Sequence, residues 1–386
     1  MIGISKMGLY VPKNYLRMEE LANARGCDPQ KYLKGIGQEK MAVVGGNEDS
    51  VSMALNSVKV LIKDLTQSEI NNIKLIVFAT ESSIDESKAG SLFLQKYLNL
   101  PNDARYIELK EACYGATAGL GFAYDHVMIH PDEKVIVVAS DLARYGLKSK
   151  GEVTQGAGSV ALLIENQLQL PLEMKTGNTY YAASIADFYR PSGQSAAIVD
   201  GPYSNEMYLG FFKKVFSDFF NGGPISPADL KLINFHLPYT KIGLKALKEI
   251  ETELDTNTYD KWVTMFNGGK KLNAEVGNIY TGSLYLNLLS NLFVKNIEIN
   301  DLIGMYSYGS GAQGEFFVLQ AHENLNLDPL TDLLQSREAI DVQRYEEKYE
   351  SYSNNLNQEW TAEDIRPGDF YLKKVLNGAR EYEIAV

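Results

Sequence analysis

Residues 73–80, IKLIVFAT, and residues 230–237, LKLINFHL, are two versions of one short apolar strand, each preceded by an acidic, helix-like stretch. About forty residues after each, a run of small residues opens a helix. The first is ACYGATAGLG (112–121), which contains Cys113, and the second is GNIYTGSLYL (277–286), which contains Asn278. Both helices lead into a further apolar strand, 134–139 and 301–306, and then through a glycine turn into a closing strand within GAGSVALLIE (156–165) and GSGAQGEFFVLQ (309–320). The repeated order predicts an α/β molecule of two βαβαβ halves, residues 1–168 and 169–386, related by a pseudo-twofold axis. Strands that read as continuous apolar runs need helices on both faces.

The repeat also predicts a site. Cys113 and Asn278 occupy equivalent helix starts, and aligning Phe78 with Phe235 sets His236 opposite Ala79, two residues from Glu81. Residues two apart on a strand face the same way, so Cys113, Glu81, His236 and Asn278 fall into one neighbourhood. A thiol at a helix start is addressed by unpaired N–H groups and the positive end of the helix dipole, which favour thiolate; its bland alternative is a buried cysteine packed as a small hydrophobe. A cysteine thiolate exchanges acyl groups with thioesters, and a histidine and an asparagine amide can donate to a carbonyl oxygen as charge develops. A buried carboxyl of raised pKa can take a proton from the carbon beside a thioester. Together the four describe carbon–carbon bond formation between acyl thioesters.

Composition limits the rivals. The 386 residues are 45% hydrophobic and 22% charged, which suits a soluble globular chain with one large or two ordinary cores. The net charge of −12, with 37 Lys and Arg against 49 Asp and Glu, argues against a nucleic-acid surface. Cys27 and Cys113 are too few for a disulfide framework, which fits a reducing cytoplasm. The first twelve residues alternate like a strand and lack the pattern of a signal peptide, and no apolar run reaches the roughly 18 residues of a membrane span. Phe370 to Ile384 reads as a hairpin around Asn377-Gly378, and the segment ADFYRPSG (186–193) as an ordered loop.

Gly309, Gly311 and Gly314 satisfy G-x-G-x-x-G, and Gly156, Gly158 and Ala161 its alanine variant, yet short apolar strands follow where a dinucleotide site needs a helix. Tight turns, with backbone approaching a ligand or the other half, are the expectation there. His126 and His130 share a helix end without a third metal ligand, and His322 stands alone in a helical context. Lys241, Lys245 and Lys248 are spaced along one helix face.

The stretches ATESSIDESKAG, KEACYGATAG, SDLARYGL, TQGAGSVA, ADFYRPSG, NFHLPYTKIG, GNIYTGSLY and SYGSGAQGEF, in this order through the whole chain, resemble bacterial 3-hydroxy-3-methylglutaryl-CoA synthases. The resemblance implies a thiolase-like fold with an α-β-α-β-α layered core, a homodimer, and condensation of acetyl-CoA with acetoacetyl-CoA in the mevalonate route to isoprenoids. CoA thioesters are then substrates, and no cofactor or metal is implied. Catalysis would rest on Cys113 as the acetylated nucleophile, Glu81 as base and acid, and His236 as the group that orients the acceptor. Asn278, Ser310, Thr154, Ser204 and Tyr145 would contact the acyl and oxyanion groups, and Lys245, Lys241 and Asp28 the coenzyme A. One departure is Gly115, where relatives often carry alanine, which leaves the pocket intact with a looser helix start. Other readings of the same residues are a polyketide β-branching enzyme whose acceptor is carrier-bound, a ketoacyl synthase III-like enzyme, which has no need of Glu81, and a non-catalytic ligand-binding relative.

Overall fold

The computed structural model describes residues 1–194, 196–325, 327–353 and 357–386. Its main strands are, in the first part of the chain, β1 (Ile2–Tyr10), β2 (Ile73–Ala79), β3 (Arg105–Leu109), β4 (Lys134–Leu142) and β5 (Ala157–Asn166). The second part adds β6 (Leu172–Met174), β7 (Thr179–Ala182), β8 (Leu230–Phe235), β9 (Leu302–Gly309) and β10 (Gln313–Ala321). The helices that frame the site are α1 (Ser50–Ile62), α2 (Gly115–Ile129), α3 (Gly201–Phe220), α4 (Ile242–Glu249) and α5 (Ser283–Phe293).

Pairing reproduces the duplication. β2 lies parallel to β4, β4 antiparallel to β5, and β5 antiparallel to β1. Likewise β8 is parallel to β9, β9 antiparallel to β10, and β10 antiparallel to β6. β1 and β6 meet through Gly3 opposite Glu173 and Ile4 opposite Leu172, so nine strands form one path, β8-β9-β10-β6-β1-β5-β4-β2-β3, with β7 alongside β10. Glycine is required at the junction, because a Cβ on Gly3 would lie 2.0 Å from the Leu172 carbonyl oxygen.

The strands are apolar on both faces because both faces are covered. Along β2, Leu75, Val77 and Ala79 join a central cluster, whereas Ile73, Ile76 and Phe78 join an outer one under α1. On the other side, Ile303 and Met305 of β9 face the same central cluster, and Tyr306 and Tyr308 face an outer one with Phe212 and Phe216 of α3. Leu120 and Ala123 of α2 and Leu284 and Leu288 of α5 fill the centre. The order is therefore helix, sheet, paired central helices, sheet, helix, the layered α/β class that the sequence led us to expect.

Two sequence expectations take a different form. The edge strand β3 has no counterpart in the second part among the described residues; helices Thr256–Gly269 and Lys271–Val276 occupy that stretch. There Trp262 and Phe266 repeat at helical spacing, and Asp255 caps the first helix by accepting from the Thr258 N–H at 3.0 Å. His322 follows β10 directly, outside any helix, with Nε2 2.9 Å from Glu173 Oε2. The terminal hairpin forms as expected, with Asn377 and Gly378 at φ 50° and 81°. Gly311 lies in the turn between β9 and β10, with Gly309 and Gly314 on the flanking strands, and a Cβ on Gly156 would lie 2.6 Å from the Val276 carbonyl oxygen. Among the described residues no helix is long and apolar enough to cross a membrane.

Candidate active site

Cys113 sits two residues ahead of the first helical residue of α2, in a turn held at unusual geometry. Ala112 has φ 41°, a region that costs an L-residue energy, and Gly309 lies so close that a Cβ there would be 2.7 Å from the Tyr114 nitrogen. The turn presents the Cys113 thiol to Glu81, with Sγ donating to Oε1 at 3.0 Å. Glu81 follows the end of β2, and its loop is anchored by Asp141 of β4. Asp141 Oδ1 accepts from the Glu81 N–H at 2.7 Å, Thr80 Oγ1 at 2.9 Å and Ser82 Oγ at 2.8 Å. Its other oxygen accepts from Thr281 Oγ1 at 2.5 Å and the Thr281 N–H at 3.2 Å. One carboxylate thus fastens the Glu81 loop to the segment that follows Asn278. Arg190, from the ADFYRPSG loop, donates to the Glu81 carbonyl oxygen.

Beside the thiol is a cavity of about 510 Å³. Cys113, His236 and Asn278 line it, as do Tyr145, Thr154, Ser204 and Ser310. His236 is buried just past the end of β8; its N–H donates to the Tyr306 carbonyl at 2.8 Å and its carbonyl accepts from Tyr208 Oη at 2.7 Å. Asn278 Oδ1 is occupied by the Tyr280 N–H at 2.9 Å and Ser283 Oγ at 2.8 Å. The amide nitrogen is thereby turned toward Tyr145 Oη, 3.1 Å away. Gly277, at φ 93°, allows the approach: a Cβ there would be 2.1 Å from the Gln155 carbonyl oxygen.

The electrostatics follow from burial. Desolvation, reinforced by Asp141, pushes Glu81 up to about 8. Desolvation pushes His236 down to about 3, so the ring is neutral and offers one N–H donor. Cys113 is raised well above an ordinary thiol, first by burial and then by Glu81. This corrects the expectation of a favoured thiolate. A helix dipole acts over the first turn only, and here burial and the neighbouring carboxyl outweigh it.

Not every expected residue reaches the cavity wall. Lys245 is exposed on α4, its Nζ donating to Tyr239 Oη at 2.9 Å, and Tyr239 rather than Lys245 forms the wall. Lys241 Nζ donates to the Lys34 carbonyl at 2.8 Å, and Asp28 is an exposed residue accepting from the Gln30 N–H at 3.0 Å. Side chains that sequence reasoning passed over include Tyr280, Tyr308 and Lys150, which line the cavity. Asp187 was visible only as one charge in a loop. It is buried, accepting from Tyr308 Oη at 2.9 Å, the Gly311 N–H at 3.0 Å and Ser204 Oγ at 3.1 Å.

Family models for the hydroxymethylglutaryl-coenzyme A synthase N-terminal and C-terminal regions match residues 1–168 and 245–383. The hydroxymethylglutaryl-CoA synthase of Enterococcus faecalis is 40% identical over 387 residues, covering 99% of both chains. The chain belongs to the hydroxymethylglutaryl-CoA synthase family. A solved structure of an HMG-CoA synthase complexed with CoA is 34% identical and superposes with a TM-score of 0.92 over 100% of each chain. The fold is accordingly the thiolase-like fold of that family's condensing enzymes. A polyketide-biosynthesis 3-hydroxy-3-methylglutaryl-ACP synthase of Bacillus subtilis is also similar, at 28% identity over 82% of this chain and 79% of its own.

Proposed function

We propose that this family member is a hydroxymethylglutaryl-CoA synthase, which joins acetyl-CoA to acetoacetyl-CoA, with water, to give HMG-CoA and CoA for the mevalonate route. The observation that carries the mechanism is the Cys113–Glu81 contact at 3.0 Å beside a cavity shared with His236 and Asn278. As Cys113 Sγ attacks the acetyl carbonyl, Glu81 takes the thiol proton and passes it to the departing CoA sulfur. The carboxylate so restored removes a proton from the acetyl methyl group. The resulting carbon attacks the ketone of acetoacetyl-CoA, held by the neutral His236 N–H and the Asn278 amide, and Glu81 returns the proton to the new alkoxide. Water then cleaves the thioester, adding hydrogen to Cys113 and hydroxyl to the product. A Glu81 pKa near 8 suits a group that must both take and give a proton around neutrality.

Tyr145, Thr154, Ser204 and Ser310 act as cavity contacts for the acyl arms, while Lys245, Lys241 and Asp28 serve the coenzyme end outside the wall. We divide the chain at 168 and 169, each side supplying two of the four central groups. The substrates bring their own chemistry as CoA thioesters, so the reaction asks for no cofactor. Two free thiols favour the cytoplasm. The outer edge of β3, which no strand covers among the described residues, with Ile107 36% and Phe122 of α2 53% exposed, supports a homodimer built along that edge.

Incubation with labelled acetyl-CoA is expected to leave one acetyl group on Cys113 and none on Cys113→Ala. Glu81→Ala should still acquire the label, more slowly, and form no carbon–carbon bond. Normal condensation by Glu81→Ala would remove the carboxylate from the mechanism. Consumption of the acetyl-enzyme by an acetoacetyl carrier protein but not by acetoacetyl-CoA would favour the polyketide reading.

A further inference from the structure

Glu315 is a carboxyl that the mechanism above does not use, and its placement is costly. It lies on β10, 5% exposed, and among the described residues no Lys, Arg or His pairs with it. A carboxyl taken out of water without a cation is unfavourable, and a neutral side chain of the same shape serves a purely structural purpose better. What it touches is specific. Oε2 accepts from Tyr114 Oη at 2.6 Å and Oε1 from Asn178 Nδ2 at 2.8 Å. The Tyr180 and Tyr285 phenols are the further titratable groups near it.

Tyr114 is the residue after Cys113 and the N-cap of α2. Its N–H donates to the Glu111 carbonyl at 3.0 Å, closing the turn in which Ala112 holds φ 41°. The phenol leaves that turn away from the cavity, which it does not line, and runs into the second part of the chain to reach Glu315. A strained turn keeps its shape only where its surroundings fix it. We propose that Glu315 is a positioning residue which, through the Tyr114 hydroxyl, holds the Cys113 turn in the geometry that aims Sγ at Glu81 and the acyl carbonyl. The contact is short and charge-assisted, and it ties the nucleophile's neighbour to β10, the strand joined to β9 by the turn that carries the cavity residue Ser310. Burial raises Glu315 to about 7, so the carboxylate that accepts this bond is lost as pH falls below neutrality.

This inference rests on Cys113 being the acetylated group. The test therefore uses the full chain with acetyl-CoA alone and measures single-turnover acetylation beside thermal melting, for the parent, Glu315→Gln, Tyr114→Phe and the double variant. Glu315→Gln keeps the shape and removes the buried charge, so it is expected to melt no lower than the parent. Its acetylation rate constant should fall about tenfold with KM for acetyl-CoA little changed, as expected when an attacking group is misaimed. Tyr114→Phe should lose the same factor, and the double variant no more than either single one. Parent-like acetylation by Glu315→Gln overturns the proposal, as does a rate loss that tracks a lower melting temperature or adds to that of Tyr114→Phe. A parent that takes no acetyl group on Cys113 instead overturns the mechanism on which this rests.

Discussion

Cys113 is harder to ionise in this site than in water, and the group that must relieve it of a proton is itself a weak acid. Burial raises both the thiol and Glu81, the latter to about 8, so around neutrality the resting pair keeps a proton on each group and the carboxyl is the first to lose its own. Acetylation removes the thiol donor, which had been lowering the Glu81 pKa, and the carboxyl is then protonated still more readily. Only the ionised carboxylate can take the methyl proton. Single-turnover condensation from isolated acetyl-enzyme should therefore rise with pH, with its midpoint at or above about 8. A flat profile from about pH 6 to about pH 9 would argue against Glu81 as the base. The identities of the four central side chains were legible in the sequence because a duplicated order of elements brings equivalent positions together. Their protonation was not, since it depends on how deeply each is buried, which a string of residues does not record.

At the scale of elements, the small-residue run that opens α2 does two different things. A Cβ on Gly115 would meet Ala79 Cβ at 3.6 Å and Leu109 O at 3.5 Å, ordinary contacts on a residue already helical. Gly115→Ala should raise stability by about 0.5–1 kcal/mol, chiefly by restricting the unfolded chain. Four residues on, a Cβ on Gly119 would stand 2.9 Å from Val77 Cγ1 and 3.2 Å from Val137 Cγ1. Gly119→Ala should cost about 1–3 kcal/mol through overpacking between α2 and β2. Denaturant melts of the two variants check both signs. The composition of the run announced a helix at close quarters, but which glycine was free and which was pressed against a strand needed the facing side chains. The lack of a counterpart to β3 in the second half, among the described residues, was equally beyond the repeat, because divergence between the halves leaves their order intact while a single edge element is replaced. Asp187 escaped notice for a related reason: a lone acidic residue in a polar loop shows its worth only when three donors converge on it.

Over the whole molecule, the path of strands has two unequal ends. At one, β8 is covered by α4 and helix Thr256–Gly269; at the other, β3 carries the exposed Ile107 beside a helix that exposes Phe122 and Ile129. Light scattering of the parent should report a dimer, and Ile107→Lys together with Phe122→Lys should yield a monomer, as expected when an edge is given charge. A monomeric parent would dismiss that edge as an interface. The opposite property belongs to the middle of the path. β1 and β6 are hydrogen-bonded there, and Asp141 grips the Glu81 loop with one oxygen and Thr281 with the other. The line between the two similar halves is therefore sutured by strand pairing and by a shared carboxylate. Other parts of the cavity wall, Asp200, Gly201 and Lys150 among them, stand instead on segments outside the main strands. In this molecule the seam binds the catalytic loops to each other, while part of the wall around the thiol is borrowed from outside the sheet.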